Sequence, residues 1–458
     1  MTGSSLAHLR DSVKDATERG ETEWCLVLDN VQEYCPVYEG GISCESILKV
    51  GTAWTAICLD DCKPGAFDLQ SHLTHVAEKK RTAMTVKFLR TDIDWTHIQA
   101  IQLLHWARIL VDYVPKLNSM SRDISARFCL APLAKHCMCK GQRTIVQPLG
   151  TNAERKTETQ GMARAIIDFD KQMGIGSEAA DRLLSWVHGD GASYATALWL
   201  QKHLCSIPNN HHSFQNHIAT PEIWHAKAMM INSIAANHYG PATSKDPSSL
   251  SQSSNVAGFK HPKNLNSCDY YPAVRSMTLI WEAQVLDCWR CVWFNPYFLF
   301  SWDWPTFRVF LDTTLDILSY FTDLARQENL PLIDTLLIQA SILVNQYASQ
   351  DAHDQALSCV KSMDAPEDMK VPIGLPFTTQ TAVHISEGDP PIPPTEDLPN
   401  VHQEASNFDG DHVLANSILF LQDFGWWNEI AYAIPEGDIG RVFEILKVCQ
   451  SLFIYFWS

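Results

Sequence analysis

Apolar positions in the amino-terminal half of the chain fall into short unbroken runs, and further along they settle into helical stripes. "EWCLVLDN" (Glu23–Asn30) is a run of the first kind and predicts a buried strand that ends at Asp29. "KVGTAWTAICLDD" (Lys49–Asp61), rich in β-branched and aromatic residues, predicts a second strand. "FDLQSHLTHVAEKKR" is amphipathic at the helical period. "DWTHIQAIQLLHWARILVDYVP" predicts a long helix capped by Asp94 and stopped by Pro115. "RTIVQPLG" is a candidate third strand, and "ETQGMARAIIDFDKQMG" a helix closed by Gly174. In "SWVHGDGASY" (Ser185–Tyr194) an apolar run stops abruptly at two glycines that flank Asp190, which predicts a strand delivering that acid to its carboxyl-terminal end. A helix through "YATALWLQKHL" follows. From Pro221 onward the pattern is almost wholly helical, broken by a Ser/Asn-rich stretch, "PATSKDPSSLSQSSN", read as a loop.

A second break differs in kind. Val371–Pro399 holds seven prolines in 29 residues and few large apolar groups, so it predicts an irregular, weakly packed linker. Order resumes in "DHVLANSILFLQDF" and "EGDIGRVFEILKVC", the latter read as a helix opening near Glu436. Its apolar positions Ile439, Val442, Phe443, Ile445 and Leu446 predict one buried face, expected to dock on the sheet and bring Glu436 toward the strand-end aspartates.

Charge sharpens this division. The 458 residues carry a formal net charge of −17, of which −10 falls within residues 351–411. A chain so balanced lacks the basic footprint of a DNA-binding domain. Fourteen cysteines without a leading apolar segment in "MTGSSLAHLR" predict reduced thiols and an intracellular protein, nuclear or cytoplasmic. The most apolar stretch, "CVWFNPYFLFS", has 11 residues and contains Asn295 and Pro296, too short and too broken to span a bilayer.

Three acids stand out as candidate chemistry. Asp29 and Asp190 close predicted strands, and Glu436 opens a predicted helix. Two aspartates on strand ends and a helix-borne glutamate are the acids of a two-metal phosphoryl-transfer site, since Mg²⁺ and Mn²⁺ prefer oxygen ligands. The same residues also suit humbler roles: Asp29–Asn30 a turn or cap, Asp190 a Gly-Asp-Gly turn, and Glu436 or Asp438 a favourable charge at a helix N-terminus. His225, in "PEIWHAK", is either an accessory acid–base group beside such metals or an ordinary helix residue. "HCMC" (His136–Cys139) and "CWRC" (Cys288–Cys291) lack the paired spacing of a zinc site, and no zinc is expected. Phosphate loops, dinucleotide fingerprints and nucleophile elbows are absent from the sequence.

Eight motifs recur together in order: "LDNVQ" (Leu28–Gln32), "GTAWTAICLDDC" (Gly51–Cys62), "GDG" (Gly189–Gly191), "EIWH" (Glu222–His225), "DYYPA" (Asp269–Ala273), "LDCWR" (Leu286–Arg290), "DHVLANSILFLQD" (Asp411–Asp423) and "EGDIGRVFEILKV" (Glu436–Val448). In these the chain resembles a large uncharacterised domain family abundant in mushroom-forming fungi, from about Trp24 to Val448. The layout also resembles transposase cores of the RNase H-like type. That resemblance implies an α/β fold, an RNase H-like mixed sheet core with a large, mostly α-helical insertion. It implies Asp29, Asp190 and Glu436 as ligands to Mg²⁺ or Mn²⁺, with His225 accessory and nucleic acid as a partner. The family resemblance lapses at Cys291–Phe307 and after Val448, where aromatic and apolar runs are expected to be translated intron sequence in a fragment of a longer protein.

The expected organisation is an amino-terminal tail (1–22), an RNase H-like core with helical elaborations (23–220), a helical insertion (221–370), a Pro-rich acidic linker (371–408), carboxyl-terminal helices completing the core (409–448) and an artefactual tail (449–458). Three functions compete: a transposon-derived, metal-dependent nuclease or transposase core; its catalytically inactive descendant serving as a scaffold or as a protein- or nucleic-acid-binding module; and a purely structural helical protein. The first two require the Asp29 and Asp190 strands to be adjacent and parallel. None of the three requires a membrane.

Overall fold

The computed structural model describes residues 2–19, 24–36, 46–59, 62–63, 65–83, 85–130, 132–138, 141–293, 314–362 and 412–457. The expected linker at Val371–Pro399, and residues 294–307 of the aromatic stretch, lie outside them. Among the described residues there are five strands: β1 (Trp24–Cys35), β2 (Ile47–Cys58), β3 (Val146–Pro148), β4 (Ser185–Gly189) and β5 (His217–Pro221). The helices begin with α1 (Thr2–Arg19), α2 (Leu69–Ala77), α3 (Val86–Thr91), α4 (Trp95–Tyr113), α5 (Ser121–Phe128), α6 (Thr159–Met173), α7 (Ser177–Ala180), α8 (Gly191–Leu204) and α9 (Asn210–Ser213). They continue with α10 (Ile223–His238), α11 (Leu250–Val256), α12 (Tyr270–Trp293), α13 (Thr314–Glu328), α14 (Leu332–Tyr347), α15 (Gln350–Ser362), α16 (His412–Glu436) and α17 (Ile439–Trp457). The protein is mixed α/β and mostly helical, and its residues gather into two units: 1–85 with 139–226, and 86–138 with 227–458.

The first unit holds the sheet, in the order β3-β2-β1-β4-β5. β1–β2 and β2–β3 are antiparallel, whereas β1–β4 and β4–β5 are parallel. Alternation along the strands sends Leu26, Leu28, Trp54, Ala56 and Val187 to one face. There they meet Leu9 and Val13 of α1 and Met162, Ile166 and Phe169 of α6. Gly174 closes α6 in the left-handed conformation, as its position predicts.

One expectation changes here, and one strand is added. β1 does not end at Asp29 but continues to Cys35, paired with β2 from Asp29↔Ala53 to Cys35↔Ile47. Its residues 29–34 are exposed on both faces of this two-stranded ribbon, so no apolar alternation marks them as strand. β5, "HIATP", has no such signal either, and is recruited by pairing with β4 from Ser185↔His217 to Gly189↔Pro221.

The second unit is helical. α4 starts where expected, with Asp94 Oδ1 accepting the His97 N–H, and is buried nearly all round. α16 is buried likewise over most of its 25 residues. Trp281 Nε1 donates to the Leu421 carbonyl (2.8 Å) and Trp289 Nε1 to the Trp106 carbonyl (3.1 Å), so both buried indoles find acceptors in neighbouring helices. The Ser/Asn stretch read as a loop contains α11, capped by Ser249. The last helix is phased differently from its apolar spacing. Val442, Ile445 and Val448 are buried, but Ile439 and Phe443 are each 54% exposed. Arg441 and Glu444 take the buried places instead.

Candidate functional site

The parallel β1–β4 pairing, Cys25↔Trp186 through Val27↔His188, carries the chain of β4 directly to Asp190. A Cβ on Gly189 would lie 2.9 Å from Ser193 Cβ and 3.1 Å from Leu28 Cγ, so only glycine lets β1 and the start of α8 approach this closely. Asp190 is the N-cap of α8, and its Oδ1 accepts the Ser193 N–H at 2.7 Å. Asp29 lies on β1 two residues past the segment paired with β4, and is itself paired with Ala53 of β2, with 71% of its side chain exposed. The two carboxylates are brought together by a third group. Lys156 Nζ lies 3.2 Å from Asp190 Oδ2 and 3.5 Å from Asp29 Oδ1, and its side chain is 1% exposed. Burial pushes the Asp190 carboxyl up, but hydrogen bonds from Ser193 and the Lys156 ammonium outweigh it and hold the group below the usual carboxylate range.

Lys156 arrives on a strap laid against β2. Leu149 N–H donates to the Trp54 carbonyl, Thr52 and Asn152 exchange two 3.0 Å backbone bonds, and Thr52 Oγ1 donates to the Glu154 carbonyl at 2.7 Å. A Cβ on Gly51 would fall 2.3 Å from the Asn152 carbonyl oxygen, so this glycine admits the strap. Nothing in "NAERKTET" distinguishes Lys156 from a solvated lysine. The strap's long-range bonds alone bury it.

Further groups populate the carboxyl-terminal ends of β4 and β5. His225 Nδ1 pairs with Glu222 Oε2 at 3.0 Å, and the Glu222 N–H donates to the Gly189 carbonyl, the residue before Asp190. Trp186 Nε1 donates to Thr220 Oγ1 at 2.9 Å, and Thr220 Oγ1 is 2.9 Å from His188 Nδ1, which accepts the hydroxyl proton when the ring is neutral. Burial pulls His188 down to about 4 from its ordinary 6.5. Above pH 6.5 the ring is neutral in both folded and unfolded chains. Between pH 6.5 and about 4 only the unfolded chain takes the proton, so stability falls with acidification through that window. We expect a loss of roughly 2 kcal/mol from this group by pH 5. Urea unfolding at pH 7 and pH 5 checks it: His188→Phe should flatten the pH dependence, and an unchanged slope contradicts it.

Glu436 belongs to the second unit and ends α16 rather than opening the next helix. Asp438 takes the capping role, its Oδ1 accepting the Arg441 N–H at 3.2 Å. Both Asp438 oxygens also tie down Lys135, His136 and Cys137. Glu436 Oε2 accepts from Arg441 Nη1 at 2.7 Å. The Arg441 side chain is fully buried and forks onto Glu429 at 2.7 and 2.9 Å; Glu429 Oε2 in turn lies 2.6 Å from His105 Nε2.

The residues do not fit a two-metal centre as they stand. The Asp29–Asp190 pair is compensated by Lys156, and Glu436 by Arg441. Among the described residues no three His, Cys, Asp or Glu side chains are grouped to hold a metal ion. Among them, too, no helix is long and apolar enough to cross a membrane.

No curated protein and no solved structure matches the chain. Residues 78–455, most of its length, match a family of unknown function, DUF6589, and the chain belongs to that family.

Proposed function

We propose that the chain carries a degenerate RNase H-like core, descended from a transposase, that serves as a catalytically inactive scaffold or binding module. The strand arrangement supports the descent: three antiparallel strands, then two parallel strands added on the other side of β1, with Asp29 on β1 and Asp190 directly after the adjacent β4. The observation that carries the inactivity is that each acid of the expected triad already faces a protein cation, Lys156 for the aspartates and Arg441 for Glu436. A two-metal mechanism needs such acids uncommitted to other cations. The acidic balance, −17 overall, favours a protein partner over bare nucleic acid.

The test is nicking of supercoiled and linear DNA by the full chain in Mg²⁺ and in Mn²⁺, beside Asp190→Asn. We expect both proteins to remain at background. Cleavage by the unaltered chain that vanishes in D190N would restore the nuclease reading.

A further inference from the structure

We propose that the Lys156 ammonium is the resident cation of the Asp29–Asp190 pair, excluding divalent ions from this sheet edge, and that removing it opens a divalent-cation site there. The inference deepens the reading just given and rests on it for the ancestry of the site. Its physical basis is separate. A lysine side chain 1% exposed carries a charge that water does not solvate, so it must be held by counter-charges. Two carboxylates supply them, at 3.2 and 3.5 Å.

The geometry leaves a second cation no place. Asp190 Oδ2 and Asp29 Oδ1 both face the ammonium, Asp190 Oδ1 is held by the Ser193 N–H, and Asp29 Oδ1 also accepts the Asn30 N–H at 2.6 Å. Three of the four carboxylate oxygens are thus engaged. A divalent ion entering between them would meet the ammonium at close range in a site partly shielded from solvent, where like charges repel far more strongly than in water. The ammonium is also not free to withdraw. Residues on both sides of it are pinned, Thr52 to Asn152 and Glu154 on one side and α6 beginning at Thr159 on the other. With the lysine truncated, the same two carboxylates would face one another uncompensated, converging oxygen ligands of the kind Mn²⁺ and Mg²⁺ take with water completing the shell.

The experiment uses the full chain without nucleic acid. Mn²⁺ binding is read by electron paramagnetic resonance and by the shift of Tm in millimolar Mn²⁺, for the unaltered protein, Lys156→Met, Lys156→Gln, Asp190→Asn and the K156M/D190N double variant. The expected result is no Tm shift in the unaltered chain, and a gain of about tenfold or more in Mn²⁺ affinity in K156M and K156Q. Mn²⁺ should raise the Tm of both lysine variants, and the K156M/D190N double variant should lose the gain. Two results would overturn the proposal. One is a folded K156M or K156Q that binds no more Mn²⁺ than the unaltered chain. The other is Mn²⁺ uptake by the unaltered chain that disappears in D190N, a measurement that stands even where the lysine variants do not fold. DNA nicking by the unaltered chain bears on the proposed function instead, so the two readings fail separately.

Discussion

Exchanging Arg441 for methionine will destabilise the helical unit by about 3–5 kcal/mol, because it leaves a buried carboxylate without its principal cation. Arg441 is fully buried, and both its Nε and Nη2 donate to Glu429, which is itself 2% exposed. Burial pushes the Glu429 carboxyl up, but His105 and Arg441 together hold it below the usual range, so the group remains charged in the folded protein. In the intact cluster His105 is not a second cation. Burial drives its own value down to about 4, leaving the ring neutral near pH 7. The control is the double variant R441M/E429Q. Removing both charges replaces an ion pair with neutral groups and should recover much of the loss, giving a coupling of roughly 2 kcal/mol in a double-mutant cycle. Urea midpoints at constant slope measure each step. A cost below about 1 kcal/mol for R441M would show that the cluster is wetter and weaker than its geometry indicates.

Phe169→Ala will cost the sheet unit a comparable amount, about 3–5 kcal/mol. Phe169 is fully buried on α6 and stacks on Trp54 of β2, with ring centroids 4.7 Å apart and planes at 17°. Truncation removes the contact that joins α6 to β2 and leaves a cavity between two secondary elements that the rest of the core holds in place. Phe169→Leu should cost less than half as much, since it keeps most of the apolar volume. Equal losses for the two variants would mean that the site collapses around either residue.

Much of the scaffold was legible along the chain. The Asp94, Ser193–Asp190 and Gly174 caps act through backbone geometry and hydrogen bonds within a few residues, so local sequence specifies them. Apolar runs leading to Asp29 and Asp190 also follow the parallel β1 and β4, although β1 continues past Asp29 and Asp190 caps α8. The limits were equally local. Nothing in the pattern carries β1 past Asp29, because the ribbon beyond it is solvated on both faces. The apolar spacing of the last helix predicts a face that the buried charges of Arg441 and Glu444 change, with Ile439 and Phe443 at the surface.

The sequence by itself determined the first strands and the main helices, two acids that reach the sheet edge, and that no stretch is long and apolar enough to cross a bilayer as a helix. Only the tertiary structure decided what those acids face. Lys156 is 127 residues from Asp29 and 34 from Asp190 in the chain, and Arg441 is 12 from Glu429. Propensity and periodicity describe a residue's relation to its own neighbours in sequence, and they treat every lysine or arginine as a solvated charge. Whether that charge is instead buried against a carboxylate depends on which distant segments pack over it, and the large cost of burying it alone is what makes the pairing obligatory once they do.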